Sequence, residues 1–125
     1  MALILFIDDD LGSRMLYEKA STILGHKPIL ADTGKLGLAL AKDRQPNLII
    51  LDLNLADTNG FFVLSQLQLE PATARIPVVI LSAGVSKTDD QLIRSSGAVA
   101  YLDKPISLDK LQKIIDQYAV VTKNE

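Results

Sequence analysis

Asp52 ends the apolar run Leu48-Ile49-Ile50-Leu51, and other apolar runs end in the same way: Asp8 and Asp9 follow one, Ser82 another and Lys104 a last. A hydrophobic strand that stops at a polar residue delivers it to the carboxyl edge of a sheet, where open α/β folds hold their ligands. Four such strands build one pocket with three carboxylates, a hydroxyl and an ammonium, a set suited to phosphoryl transfer. Carboxylates about 5 Å apart repel by roughly 3 kcal/mol per pair at an effective dielectric near 20. A divalent cation relieves that repulsion, and oxygen ligands without His or Cys favour a hard ion, Mg²⁺ first.

Taken singly, these residues have plainer uses. Asp8, Asp9 and Asp10 suit the positive end of a helix, Asp52 an ordinary strand end, Ser82 a turn and Lys104 a solvated surface. Their joint position at one predicted sheet edge is what the plainer uses leave unexplained.

The sheet itself follows from the pattern of apolar runs. Leu3 to Ile7, Leu48 to Leu51 and Val78 to Leu81 are unbroken hydrophobic stretches, as strands covered on both faces require. Ile29 to Ala31 follows Pro28, which has no backbone donor and is tolerated best on an edge. Ala98 to Leu102 is the fifth strand. Between them, Leu16, Ala20, Ile23 and Leu24 give a helical stripe ended by Gly25. Leu36, Leu38, Ala39 and Leu40 mark a second helix, stopped before Pro46. Phe61, Leu64, Leu67 and Gln68 mark a third, entered by the turn Asp57-Thr58-Asn59-Gly60 and ending near Pro71. Asp89 to Ser96 is a fourth, and Ser107 caps a fifth in which Leu108, Leu111, Ile114 and Ile115 face the sheet. The result is α/β, a doubly wound (βα)₅ parallel sheet with helices on both faces.

The 125 residues fit one domain over 1–125 with one core. A net charge of −2 with scattered basic residues argues against direct nucleic-acid binding. The absence of cysteine excludes disulfides and thiolate metal sites and is compatible with a reducing, cytoplasmic setting. Met1 to Ile7 is too short to span a bilayer and has neither the basic start nor the cleavage site of a signal peptide, so no membrane insertion is expected. His26 falls in the turn after the first helix and reads as a surface residue.

These residues resemble the receiver domains of two-component response regulators, which share the fold of the chemotaxis protein CheY. The resemblance covers essentially the whole chain. It rests on Ile7-Asp8-Asp9-Asp10, Pro46 to Leu53, Asn59-Gly60, Ile76 to Ala83, Gly97-Ala98 and Tyr101-Leu102-Asp103-Lys104-Pro105. The intervals of 30 residues from Asp52 to Ser82 and 22 from Ser82 to Lys104 also match.

The resemblance implies a flavodoxin-like strand order, 2-1-3-4-5, and roles for individual residues. Asp52 becomes the acceptor that attacks a phosphohistidine of a sensor histidine kinase or a histidine phosphotransfer protein. Asp9 becomes the direct Mg²⁺ ligand and Asp8 a ligand largely through water, with Asp52 and the Asn54 carbonyl completing the protein set. Lys104 and Ser82 meet phosphoryl oxygens, helped by the Ala83 amide, while Ser82 and Tyr101 form a switch pair. Pro105 takes the place of the family's cis-proline, which aims the lysine into the pocket. The donor's helix is expected beside Gly12, Ser13, Leu16, Pro105 and Ile106. Such a domain is no enzyme in the ordinary sense: it catalyses only its own phosphorylation and dephosphorylation. It signals to a downstream target or output domain, either as a stand-alone regulator or as part of a larger chain.

Two departures stand out. Ala56 replaces the proline that many receivers carry four residues after the acceptor, and Gly84 leaves the position two after the switch hydroxyl without a side chain. Both bear on the lifetime of the acyl phosphate. A haloacid-dehalogenase-type phosphatase uses similar residues but in another order, with the nucleophile first. A flavin-binding domain needs a Ser/Thr-rich phosphate loop after the first strand, which this chain lacks. A pseudo-receiver, which keeps the fold as an interaction module without phosphorylation, is the remaining alternative.

Overall fold

Every residue of Leu48–Asp52 (β3) and of Val78–Ser82 (β4) is buried, as continuous apolar runs demand of the middle of a parallel sheet. In the computed structural model, which describes residues 1–83 and 94–119, Leu3–Ile7 (β1), Lys27–Ala31 (β2) and Ala100–Asp103 (β5) complete that sheet. The order is β2-β1-β3-β4-β5, and every pair is parallel. The order reverses direction between β1 and β3, and a crevice at the carboxyl ends of those two strands is where such sheets bind ligands.

Helices Leu11–Ile23 (α1), Gly34–Arg44 (α2), Gly60–Leu69 (α3) and Leu108–Tyr118 (α4) flank the sheet. On one face Leu5, Ile7, Ile49, Leu51 and Ile80 pack with Ala41 of α2 and with Val63, Leu64 and Leu67 of α3. On the other, Ile4, Phe6, Leu48, Ile50, Val79 and Leu81 pack with Tyr17 of α1 and with Leu111, Ile114 and Ile115 of α4. Each large apolar side chain so buried contributes about 1.5–3 kcal/mol relative to exposure. Asp10, Thr33, Asn59 and Ser107 cap the four helices, their side chains accepting amides from Ser13, Leu36, Phe61 and Lys110.

The main differences from the sequence reading have physical causes. β2 begins at Lys27, so Pro28 lies inside it beside Ile4, on an edge strand where its missing donor costs no ladder bond. β5 begins two residues later than expected, at Ala100, after the turn at Gly97, whose φ is +91°. In α1 the expected stripe is rotated: Leu16 and Ile23 are each 63% exposed, while Tyr17 and Ser21 are buried. The tyrosine ring stacks on Phe6 and its hydroxyl finds a buried acceptor, so the aromatic residue takes the inward face that apolar counting gives to leucine. Leu108 is also partly exposed, at 43%, although Leu111, Ile114 and Ile115 face the sheet as expected.

His26 is half-buried rather than on the open surface, and its Nδ1 accepts the Ala2 amide at 2.9 Å. That burial holds the imidazole below its usual pKa. Of the expected helix over Asp89 to Ser96, Arg94 and Ser95 are helical, while Gly84, Asp89, Asp90 and Gln91 lie outside the described residues. No helix among the described residues is long and apolar enough to cross a membrane.

Candidate functional site

The strand ends meet as the run-then-polar pattern requires. Asp8 follows β1, Asp52 closes β3, and oxygens of Asp8, Asp9 and Asp52 all lie within 4.8 Å of one another. Asp8 is 2% and Asp52 5% exposed, whereas Asp9 faces solvent, so the cluster is open on one side. Lys104, after β5, places Nζ 2.7 Å from Asp8 Oδ2 and 3.4 Å from Asp52 Oδ2. The Lys104–Pro105 peptide bond is cis. Asn54 donates its amide to Asp52 Oδ1 at 3.2 Å, and Asp10 its amide to Asp8 Oδ1 at 2.9 Å.

One ammonium cannot neutralise three carboxylates. Burial raises the pKa of Asp52, as does the charge of Asp8, against the lowering pull of the Asn54 amide and of Lys104. Lys104 shows the complementary balance: burial lowers its pKa, but Asp8 and Asp52 outweigh burial and raise it overall. Asp10 stands apart from this cluster as the α1 cap, where the Ser13 amide and hydroxyl hold its carboxyl below the usual range.

The donor set fits a hard divalent cation. It contains carboxylate oxygens only, on a rim that leaves room for water, and it lacks the charge to be self-compensating. A cation held there supplies the missing positive charge beside Asp52.

Ser82 is buried at the end of β4, with Asp103 as its β5 neighbour, and its carbonyl accepts the Lys104 amide at 2.8 Å. Tyr101 pairs with Ile80, two residues before Ser82, so Ser82 and Ile80 share a face of β4. Tyr101 is partly buried against the core on the α2 and α3 side. Ser13, Leu16, Pro105 and Ile106 line a groove of about 80 Å³ together with Tyr17, Ala20 and Lys104. Gly12 is exposed in the first turn of α1, outside that lining.

Further residues fix this geometry, and the contacts made by Asp57, Arg14 and Tyr17 give little signal in the sequence. Asp57 reaches from the loop after β3 to the start of α2, accepting the Gly34 amide at 2.9 Å and the Lys35 amide at 3.2 Å. These bonds hold its carboxyl below the ordinary range. The loop that contains Ala56 is thereby tied down without a proline. Gly60 closes the same loop: its amide donates to the Leu53 carbonyl at 2.8 Å, and a Cβ there would stand 2.5 Å from the Asp52 carbonyl oxygen. Arg14 donates to the Asp8 carbonyl at 2.9 Å. Tyr17 donates its hydroxyl to Asp8 Oδ2 at 2.9 Å, and burial followed by the Asp8 charge raises the phenol's pKa.

The chain is similar to known proteins. Residues 4–116 match the model of the response regulator receiver domain. The chain is 32% identical over 118 residues to the protein PilH of Pseudomonas aeruginosa, covering 93% of this chain and 96% of that one. It is 29% identical over 115 residues to the polar-differentiation response regulator DivK of Brucella ovis, covering 92% and 94%. Among solved structures, the chemotaxis protein CheY4 of Vibrio cholerae superposes with a TM-score of 0.88 at 24% identity, over 94% of this chain and 98% of that one. The receiver domain of a Pseudomonas aeruginosa sensor histidine kinase, which has magnesium coordinated in its active-site cleft, gives 0.87 at 22% identity, over 94% and 97%. With the family model spanning nearly the whole chain, the β2-β1-β3-β4-β5 sheet and the acidic edge have one common explanation: this chain belongs to the response regulator receiver domain family.

Proposed function

We propose that the chain, acting as a single receiver domain in the cytoplasm, accepts a phosphoryl group on Asp52 from a phosphohistidine in a Mg²⁺-dependent reaction. The donor is a sensor histidine kinase or a histidine phosphotransfer protein. The observation that carries this reading is the meeting of Asp8, Asp9 and Asp52 within 4.8 Å of one another, with a lysine ammonium bonded into the same cluster.

In the proposed step an Asp52 oxygen forms the new P–O bond as the P–N bond to the donor histidine breaks. The electron pair of that bond stays on the imidazole nitrogen. A carboxylate is a weak nucleophile, so the rate comes from alignment and from charge stabilisation of the phosphoryl oxygens. Asp9, Asp52 and the Asn54 carbonyl would hold Mg²⁺, with Asp8 contributing beside them largely through water. The bound ion supplies charge neutralisation. Lys104 gives a compact positive charge to one phosphoryl oxygen, and Ser82 a hydroxyl to another, helped by the Ala83 amide.

The groove between α1 and Pro105-Ile106 suits the donor's helix, because Leu16, Ala20 and Ile106 line it together with Lys104. Movement of Ser82 and Tyr101 then carries the signal to a downstream target or output domain.

Intact-mass measurement after incubation with acetyl phosphate tests the assignment. Wild type with Mg²⁺ should gain one phosphoryl group, and wild type without a divalent cation, like Asp52→Asn with it, should gain none. Phosphorylation of Asp52→Asn to the wild-type extent would move the acceptor elsewhere. A wild type that takes up nothing would favour the pseudo-receiver.

A further inference from the structure

Asp8 Oδ2 accepts two side-chain donors at once, Lys104 Nζ at 2.7 Å and the Tyr17 hydroxyl at 2.9 Å. Tyr17 is only 4% exposed, and its ring lies flat on Phe6, with centroids 4.8 Å apart and an interplanar angle of 12°. Stacking fixes the ring and therefore the direction of the hydroxyl. Phenylalanine would satisfy that stacking equally well, so packing does not account for the hydroxyl. Burying a hydroxyl is unfavourable unless it is bonded, and the acceptor it has found is the most buried carboxylate of the phosphoryl-transfer cluster.

We propose that the Tyr17 hydroxyl is a positioning residue of the phosphoryl-transfer site, which keeps Asp8 hydrogen-bonded when the Lys104 ammonium leaves it for a phosphoryl group on Asp52. This rests on the acceptor role proposed above for Asp52. At rest Lys104 is closer to Asp8 than to Asp52, so its use on a phosphoryl oxygen removes the cation from a carboxylate that is 2% exposed. Stranding such a group is costly. A neutral donor already in place on the same oxygen lowers that cost without competing for the lysine's charge. Tyr17 thereby makes Lys104 transferable, while the Asp10 amide holds the other Asp8 oxygen.

The test separates binding that leaves Lys104 on Asp8 from binding that moves it. Mg²⁺ alone, titrated by calorimetry, is the first case. Beryllofluoride with saturating Mg²⁺, followed by ¹⁹F NMR, is the second. Tyr17→Phe should weaken beryllofluoride binding about tenfold, the scale of one hydrogen bond to a charged group, and change Mg²⁺ affinity less than twofold. Equal loss in both titrations would assign Tyr17 a merely structural role, and no loss in either would also overturn the proposal. In wild type, independently of any variant, beryllofluoride should shift the Lys104 ¹⁵Nζ resonance and leave the Tyr17 ¹³Cζ resonance in its hydrogen-bonded position. A Tyr17 resonance that moves to the unbonded position would overturn the proposal even if the variant failed to fold. Failure of the wild type to bind beryllofluoride would instead refute the Asp52 acceptor reading, and this inference with it.

Discussion

Lys104 rests on Asp8: its Nζ is 2.7 Å from Asp8 Oδ2 and 3.4 Å from the nearest Asp52 oxygen. The ammonium is therefore a structural counter-ion before it serves any phosphoryl group. Its side chain is 20% exposed and that of Asp8 2%, which places the pair between a surface ion pair and a fully buried one. Lys104→Met should lower stability by about 1–3 kcal/mol in metal-free buffer, because it leaves the Asp8 charge with neutral donors only. Asp8→Asn combined with Lys104→Met should recover much of the loss. Urea unfolding of the two single variants and the double variant measures the coupling, and purely additive losses would argue against the pairing.

Asp52 carries the opposite sign. Burial and Asp8 raise its folded pKa above the unfolded value, so its contribution is most favourable below the unfolded pKa and is lost as pH rises through the folded one. At neutral pH the ionised Asp52 carboxylate destabilises the metal-free fold. Asp52→Asn should therefore melt a few degrees higher than wild type at pH 7 without Mg²⁺, converge with it at low pH, and gain less from added Mg²⁺. Thermal unfolding across pH, with and without the ion, checks all three. A variant that melts lower at pH 7 would mean that hydrogen bonds to Asp52 outweigh its desolvation.

The strand-end residues were legible in the sequence because β-strands translate it simply: an unbroken apolar run fixes a buried strand, and the first polar residue after it reaches the sheet edge. Asp8, Asp52 and Ser82 follow that rule, and Lys104 comes one residue later, after Asp103. Tyr17 does not, because its link to the site depends on a helix's tilt. Side chains of α1 lean toward its N-terminus, which carries the Tyr17 hydroxyl back over the first turn to Asp8, and apolar periodicity gave the inward face to Leu16 instead. Asp57 was hidden for a related reason. It reads as a turn carboxylate, and its bonds to the Gly34 and Lys35 amides join segments more than twenty residues apart in the chain.

Gly60 closes the loop between β3 and α3. A Cβ there would stand 2.5 Å from the Asp52 carbonyl oxygen and 2.7 Å from Leu53 Cα, both parts of the backbone that cannot swing aside as a flexible side chain would. Gly60→Ala should cost about 1–3 kcal/mol by overpacking and slow acetyl phosphate turnover at saturating Mg²⁺ by displacing Asp52. Unchanged stability together with unchanged turnover would show that the loop yields more easily than this contact implies.

The groove beside Lys104 makes a prediction about donor choice. Leu16 lines it and is 63% exposed, whereas Ile106 is half-buried against the core, so Leu16→Glu is the cleaner probe. Leu16→Glu should leave stability within about 0.5 kcal/mol of wild type and acetyl phosphate turnover within about twofold. Transfer from a phosphorylated histidine kinase that serves the wild-type chain should fall at least tenfold, because a carboxylate in an apolar groove must be desolvated to bind a helix face. Equal transfer to both proteins would move the docking surface away from α1.

Ser82 and Tyr101 lie in register for a coupled movement. Tyr101 pairs with Ile80, and Ser82 follows Ile80 on the same face of β4, so a shift of Ser82 toward Asp52 changes the space next to the tyrosine ring. The ring is already partly buried against the core on that face, which limits the distance it must travel. In the proposed reaction a phosphoryl group on Asp52 would draw the serine by a charge-assisted hydrogen bond, but it would shift the ring only through its differential affinity for the two arrangements. The inward arrangement should therefore exist as a minority before phosphorylation. Ring spectra of Tyr101 in wild type and Ser82→Ala, each with and without beryllofluoride and Mg²⁺, measure this directly. Wild type should show a large displacement toward the inward environment, and Ser82→Ala a much smaller one at equal beryllofluoride occupancy. An identical Tyr101 response in the two proteins would show that the ring follows some other element, whatever the role of Asp52.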